Sequence, residues 1–319
     1  MTAPAPTRTS ALGRVPWQAW FVLLALMWGC SFWWIKLGLT FLAPAQVAFG
    51  RTALGAAALV AILLVSRGRL PRSRRTWWDL LVVGLLMNAI PATLFAYGET
   101  QVSSVLAGII NATTPLATLT VVLLAYREEQ VTRERIAGLG VGFVGVLLVI
   151  GVWQGLGSSD LLGIAAILGA VTCYGLGYPY TRRHLASLPE GPIAMATGQV
   201  VLGALVLLPF ALVTTGPGTT PAPDALLGML GLGVFGSGIA YVLSYRVVAV
   251  AGATTASTVT YLTPIVAVAV GMLFLGETLT WHEPVGAAVV LLGVAISQGR
   301  IRTARRTPVP EIDEMAPEA

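Results

Sequence analysis

Long apolar segments fill most of this sequence, and they form two sets that resemble each other. Pro115 within one apolar segment returns as Pro264 in a later one, and Glu128 returns at the same spacing as Glu277. Each set holds five apolar segments, which is an odd number. Two such sets must therefore cross a bilayer in opposite directions, an arrangement that is typical of secondary transporters.

The composition excludes a soluble globular domain. Of the 319 residues 56% are hydrophobic and only 10% are charged, whereas soluble domains carry about 25% charged residues. A helix that crosses a bilayer needs roughly 20 mostly apolar residues. Ten such helices would leave only short loops and tails, so we expect an all-α integral membrane protein.

Apolar runs bounded by charged residues, proline or glycine predict ten transmembrane helices in two inverted five-helix repeats. The predicted helices are residues 18–38, 44–65, 78–98, 102–125, 133–151, 160–180, 192–213, 224–246, 253–275 and 284–300. They divide the chain into an N-terminal tail (1–17), a first repeat (18–151), a second repeat (160–300) and a polar, disordered C-terminal tail (301–319).

Arginine orients these helices in the membrane. The loops 66–76, 126–132 and 181–191 and the C-terminal flank carry arginines, whereas the alternate loops contain neither lysine nor arginine. Because positive charge accumulates on the cytoplasmic side, we predict a cytoplasmic-membrane protein with both termini in the cytoplasm. The net charge of +5 then reflects topology, and the expected partners are the lipid bilayer and a small-molecule substrate, with no nucleic acid.

Two cations lie in predicted helices on the outer side of the membrane. Lys36 ends the first helix near the outer face, and Arg51 lies about two turns into the second helix from the same side. Cations at such a depth are costly unless they are paired or hydrated. They could snorkel to the surface or form a salt bridge with Glu99. They could instead face a central cavity and attract a carboxylate or a phosphate.

Paired tyrosines mark two helices of the second repeat. Tyr174 and Tyr178 are four residues apart, as are Tyr241 and Tyr245, so each pair shares one helix face. Their hydroxyl groups need partners inside a bilayer, which could be neighbouring helices or a substrate in a pocket. The further candidates for such a pocket are Trp28, Asn88, Tyr97, Asn111, Ser237, Tyr261 and Thr263.

Four prolines within apolar segments are candidates for helix bends. They are Pro91, Pro115, Pro179 and Pro264. Proline removes one helical hydrogen bond, so these positions could be moving parts of a carrier or kinks that packing tolerates.

Enzyme and ATPase motifs are absent. The only lysine follows Ile35, so the chain holds no Walker phosphate-binding motif. It also lacks H-E-x-x-H and G-x-S-x-G, and we predict no catalytic residue, cofactor or metal site. Acidic residues and histidines lie near helix ends, which favours facilitated diffusion or exchange, although Lys36 or an interfacial glutamate could couple protons. A membrane-embedded enzyme and a non-transporting scaffold are the less favoured alternatives.

Small residues recur in the last helix of each repeat. They are Gly138, Gly142 and Gly145 in the first repeat and Gly286 and Gly293 in the second. Glycine lets helices approach closely. These faces are predicted to pack within the chain, and they could equally form a homodimer.

Short motifs in both halves resemble the two EamA domains of the drug/metabolite transporter superfamily. In the first half the motifs are Trp28-Gly29 followed by Lys36, and Phe49-Gly50-Arg51. In the second half the run from Leu275 to Leu279 followed by Gly286 is most similar. The resemblance covers roughly residues 20–300.

This resemblance implies an exporter of small metabolites, such as amino acids or related amphiphiles, that works by alternating access around a midplane cavity. The alternative is a multidrug or toxic-compound efflux carrier. Two positions depart from the repeat, because Pro179 stands where the first half has Lys36, and no arginine lies near position 200, opposite Arg51. The chain also lacks the first-helix glutamate of the small cation exporters.

Overall fold

The computed structural model describes residues 16–125, 132–154, 158–185, 188, 191–257 and 259–299, and these residues contain helices and no strand. The predicted tails beyond 16 and 299, and Glu128, lie outside the described residues. The helices are α1 (Trp17–Leu39), α2 (Pro44–Val65), α3 (Arg74–Gly84), α4 (Ile90–Gly98), α5 (Ser104–Asn111), α6 (Thr114–Ala125), α7 (Arg133–Ile150), α8 (Ser158–His184), α9 (Pro192–Val213), α10 (Pro223–Leu230), α11 (Ala240–Ser257), α12 (Val259–Leu275) and α13 (His282–Ser297). A π-helical segment at Leu85–Ala89 joins α3 to α4, and a second at Gly231–Ile239 joins α10 to α11.

The chain is an all-helical, multi-span membrane protein. Seven of the described helical stretches are long and apolar enough to cross a membrane, namely Trp17–Leu39, Pro44–Val65, Arg74–Gly98, Ser104–Leu124, Asp160–His184, Pro192–Val213 and Pro223–Val247. The apolar helices α12 and α13 are shorter, and α7 begins with the charged run Arg133, Glu134 and Arg135. The count of ten spans and the inverted repeat stay predictions.

Two differences from the sequence-based prediction change how the helices are divided. The structure has no break at residues 247–252, because α11 continues to Ser257 and α12 begins at Val259. This stretch holds no proline that would end a helix. The predicted helix 102–125 is instead divided into α5 and α6.

Pro115 accounts for that division. It has no N–H group to donate to the carbonyl oxygen of Asn111, four residues earlier. The Thr114 hydroxyl donates to this oxygen instead, at 2.7 Å. Pro91 is the second residue of α4, which follows the π-helical segment Leu85–Ala89. Helices α8 and α12 continue beyond Pro179 and Pro264.

The helices of the two halves pack in corresponding pairs. Helix α1 packs on α12, and its counterpart α8 packs on α6. Helix α2 packs on the π-helical segment Gly231–Ile239, as α9 packs on the segment Leu85–Ala89. The pairs α2 with α9 and α7 with α13 join equivalent helices. Exchanging the halves therefore preserves this set of contacts.

Glycines allow α7 and α13 to lie very close together. A Cβ atom added to Gly145 would lie 2.5 Å from the main-chain nitrogen of Val290, and one added to Gly286 would lie 2.5 Å from that of Val149. Both distances are too short for a real side chain. These glycine faces therefore contact each other within one chain, and the homodimer stays a prediction.

Candidate functional site

A cavity of about 70 Å³ lies between the two halves. Helices α1, α2, α4, α5, α6, α8, α11 and α12 and the π-helical segment Leu85–Ala89 contribute to its wall. Its aromatic residues are Trp28, Phe32, Phe95, Tyr174, Tyr178 and Tyr241. Its charged or polar residues, besides the tyrosines, are Ser31, Arg51, Asn111, Thr114 and Thr260. Aromatic and polar residues therefore form most of the lining of the cavity.

Arg51 is the charged group of this cavity. Among the described lining residues it alone carries a charge. Its Nε donates to the Ser237 hydroxyl oxygen at 3.1 Å, and within the described part of the chain its guanidinium makes no other hydrogen bond. Guanidinium groups bind carboxylates and phosphates through paired N–H donors. Arg51 can therefore receive an anionic group that enters the cavity.

Aromatic rings pack against each other in two groups in the wall of the cavity. The centroids of Phe32 and Phe95 are 5.7 Å apart, and those of Phe95 and Tyr174 are 6.0 Å apart. Trp28 lies edge-on to Tyr241 at 6.3 Å. These separations lie in the range of favourable ring pairs. The wall presents apolar faces to whatever occupies the cavity.

The Tyr241 hydroxyl belongs both to the cavity and to a hydrogen-bond network behind it. It donates to the carbonyl oxygen of Met87 at 2.9 Å and accepts from Asn88 Nδ2 at 3.1 Å. The Asn88 side-chain oxygen accepts from Gln199 at 2.7 Å, and Gln199 in turn accepts from the Tyr245 hydroxyl at 3.1 Å. The Tyr245 hydroxyl therefore forms a hydrogen bond between α11 and α9. The hydrogen bonds between helices that the sequence suggested for tyrosine thus occur, and a use of tyrosine in substrate binding stays a prediction.

Tyr174 and Tyr178 differ from Tyr241 in their hydroxyl groups. Both residues line the cavity. No hydrogen bond of either hydroxyl occurs among the residues for which the structure gives side chains. These two hydroxyls can therefore serve a molecule in the cavity.

Gln199 belongs to the hydrogen-bond network behind the cavity, and it is not among the residues predicted from the sequence. Its side chain is 2% exposed and lies in the middle of α9. A signal was available, because an amide in an otherwise apolar run is costly to bury without partners. Gln199 also stands one residue from position 200, where the second half lacks a counterpart of Arg51.

Two equivalent hydrogen bonds connect the halves. Arg51 on α2 donates to Ser237 in one π-helical segment, and Gln199 on α9 donates to Asn88 in the other. In each bond a residue on the second membrane-spanning helix of one half (α2 or α9) donates to the π-helical segment within the third membrane-spanning stretch of the other half. Asn88 and Ser237 are thus placed behind the lining rather than within it.

Lys36 lies beside the cavity and does not line it. Its ammonium group donates to the main-chain carbonyl oxygens of Glu99 at 2.6 Å and Val102 at 2.7 Å. The suggested salt bridge to the Glu99 carboxylate is replaced by these bonds to the segment that joins α4 to α5.

Three other candidates lie elsewhere. Tyr97 is 39% exposed. The Tyr261 hydroxyl accepts from Gln298 Nε2 at 2.6 Å, which ties α12 to the end of α13. The buried Thr263 hydroxyl donates to the Val259 carbonyl oxygen of its own helix. None of the three is among the residues that line the cavity.

A multi-span helical protein with a cavity between two similar halves has the architecture of a membrane carrier. The family model of the EamA-like transporters matches residues 15–151 and 161–298. The chain belongs to the EamA-like transporter family and is a membrane transporter.

Similar proteins agree with this class. An uncharacterized transporter of Archaeoglobus fulgidus is 24% identical over 88% of this chain and 98% of its own length. The uncharacterized inner membrane transporter YedA of Escherichia coli K12 is 28% identical over 86% of this chain and 87% of its own length. A chloroplastic WAT1-related protein of Arabidopsis thaliana is 28% identical over 88% of this chain and 70% of its own length.

A solved structure has the same fold. Its TM-score is 0.63 at 17% sequence identity, and the match covers 88% of this chain and 97% of that chain. At this identity the likeness extends to the fold alone.

Proposed function

We propose that this transporter exports small amphiphilic metabolites, with amino acids as the leading class, by alternating access around the cavity. The observation that carries this proposal is a single guanidinium group, Arg51, in an aromatic cavity between the two halves. The proposal includes ten spans in two inverted repeats, a location in the cytoplasmic membrane and both termini in the cytoplasm.

Corresponding contacts support the inverted repeat. The helix pairs keep their pattern when the halves are exchanged, and both third spans contain a π-helical segment. The Arg51–Ser237 and Gln199–Asn88 bonds are equivalent links between the halves.

The cavity favours a substrate with a carboxylate and an apolar body. The carboxylate would bind the Arg51 guanidinium, where a low-dielectric wall strengthens the attraction. The apolar body would lie against rings such as Phe95 and Tyr174. A cationic drug would be repelled by Arg51, so the cavity disfavours the alternative of a cation efflux carrier. Among toxic compounds, acidic amphiphiles are the class that would fit this cavity.

Alternating access is supported by the cavity size and by irregular helices. About 10–15 Å³ of such volume holds one water molecule, so 70 Å³ holds several waters and a larger solute needs the halves to separate. The π-helical segments and the division between α5 and α6 place weakened helical bonding beside the cavity. Pro91 and Pro115 adjoin two of these places.

The test measures extracellular metabolites by mass spectrometry for cells that overproduce the protein. Arg51→Gln is compared with the wild type at matched membrane levels. The control is Arg246→Gln, which removes the same charge from a residue that lies over the Trp20 ring, outside the cavity. Removing one partner of a buried charge pair costs about 2–5 kcal/mol, so we expect at least a thirtyfold weaker apparent affinity in Arg51→Gln alone.

Two results would contradict the proposal. If the same compound accumulates equally outside cells with wild-type and Arg51→Gln protein, Arg51 does not bind the substrate. No accumulation of any compound with the wild type would argue against export. A reporter fused after Ala319 tests the orientation, since a signal from outside the cytoplasm would overturn it.

A further inference from the structure

Glu99 is a buried carboxyl without hydrogen-bond partners. It follows α4 and is 1% exposed. Neither of its carboxylate oxygens has a hydrogen-bond partner among the described residues. Burial of an ionised carboxylate in this way is very costly, and such groups normally take up a proton instead. The sequence placed Glu99 in an outer loop, and only the packing of neighbouring helices buries it.

The charged groups around Glu99 come from three other elements. They are Lys36 on α1, Arg51 on α2 and Glu277 after α12, while α8 contributes the apolar Ile167 beside Gly98. Burial raises the pKa of the Glu99 carboxyl well above its ordinary value. Lys36 opposes this shift, Glu277 adds to it and Arg51 opposes it.

The neighbouring acidic residue, Glu277, is bonded very differently. Its two oxygens accept from the Ser104 N–H at 2.9 Å, the Ser104 hydroxyl at 2.8 Å and the Val105 N–H at 2.9 Å. Such acceptor-only bonding suits a carboxylate. Two nearby glutamates therefore have opposite surroundings, and only Glu99 lacks donors.

Glu99 is also connected to the cavity. Its N–H donates to the carbonyl oxygen of Phe95, one helical turn earlier, and Phe95 lines the cavity. Lys36 likewise directly follows the lining residue Ile35. Glu99 thus lies at the end of the cavity that is bounded by residues 36–43 and 99–103, which we call the outer end.

We propose that Glu99 is a proton-binding site that seals the outer end of the cavity. The carboxyl holds a proton while this end is closed. When the end opens, water reaches Glu99, the proton passes to that water, and a hydrated carboxylate remains near Lys36. This inference rests on the proposed alternating access, because the outer end opens only in such a cycle.

Proton binding and closure are then linked by free energy. A ligand that binds one of two conformations shifts the population towards that conformation. Protons bind the closed state better, so low pH favours closure and high pH favours opening. For one proton the ratio of open to closed protein changes by up to about tenfold per pH unit.

The first measurement detects the proton directly and needs no substrate. Dicyclohexylcarbodiimide reacts with protonated carboxyl groups in apolar surroundings, and mass spectrometry of the purified full-length protein locates the product. We expect modification of Glu99 that decreases as the pH rises from about 5 to about 9. Glu277 is the internal control and should remain unmodified. Modification of Glu99 that is absent, or independent of pH, would overturn the proposal.

The second measurement follows opening. Val102 is 8% exposed at the outer end, and Thr100 is exposed, so Val102→Cys and Thr100→Cys are compared in a Cys30→Ala, Cys173→Ala background. The ratio of their reaction rates with a polar maleimide is compared at each pH with the ratio in Glu99→Gln, because titration of the two thiols affects both backgrounds. We expect this ratio to rise with pH relative to the ratio in Glu99→Gln, by up to about tenfold per unit.

The outcomes separate the two proposals. A ratio that does not change with pH, or that changes equally in Glu99→Gln, would reject Glu99 as the seal. Neither measurement uses a substrate, so both can succeed while the export assay with Arg51→Gln fails. In that case the proton site would stand and the proposed substrate class would fall.

Discussion

Glu277 is expected to hold the beginning of α5 in place from the other half of the chain. The first N–H groups of a helix have no partner within it. At α5 the Ser103 hydroxyl accepts from Leu106 N–H, and Glu277 accepts from Ser104 and Val105. Glu277→Ala would remove the acceptor for both of these N–H groups and for the Ser104 hydroxyl.

The expected cost follows from the burial of these donors. Ser104 and Val105 are fully buried, so solvent does not replace the lost acceptor without rearrangement. A buried donor left without a partner costs about 1–3 kcal/mol. The Ser104 hydroxyl can rotate, which leaves two N–H groups and an expected loss of about 3 kcal/mol. Glu277→Gln keeps one acceptor oxygen and should lose about half as much.

The assay is denaturant unfolding of the purified protein in detergent, followed by tryptophan fluorescence. The control is Asp224→Ala at the beginning of α10, because Asp224 is exposed and accepts one hydrogen bond, from Ala225 N–H. Its loss should cost less than about 1 kcal/mol. A Glu277→Ala protein as stable as the control would refute the reasoning, since the N–H groups of α5 would then have another acceptor.

Two further substitutions test the contacts between the halves. Gly145→Ala should destabilise the protein by about 2 kcal/mol because its Cβ would overlap the Val290 main chain, whereas Gly140→Ala meets nothing within 4 Å and should be neutral or slightly stabilising in the same unfolding assay. Gln199→Leu leaves the buried Asn88 oxygen without its donor and should cost about 1–3 kcal/mol and reduce metabolite export. Unchanged stability in Gly145→Ala, or unchanged stability and export in Gln199→Leu, would contradict these expectations.

Much of the fold could be predicted because membrane helices satisfy their backbone hydrogen bonds locally. The bilayer supplies no partner for N–H and C=O groups, so an apolar run of sufficient length is by itself evidence of a helix. The second helix, 44–65, and the seventh, 192–213, were predicted with the bounds that the structure has. The π-helical segments had no such signal, because their packing against α2 and α9 is a contact between distant parts of the chain.

The sequence predicted which residues lie near the cavity better than it predicted the groups to which they bond. Arg51, Tyr174, Tyr178 and Tyr241 were expected near a cavity, and the structure places them in its wall. Lys36 was expected either to pair with the Glu99 carboxylate or to face the cavity, and it bonds to main-chain carbonyl groups instead.

The sequence by itself determined that this is a helical membrane protein with two similar halves, because hydropathy and charge act on each segment separately. The tertiary structure decided which polar groups meet. It buried Glu99, bonded Gln199 to Asn88 and left Arg51 facing the cavity. The physical reason is that burial and hydrogen bonding depend on neighbours from other helices, and the position of those neighbours is a property of the packed chain.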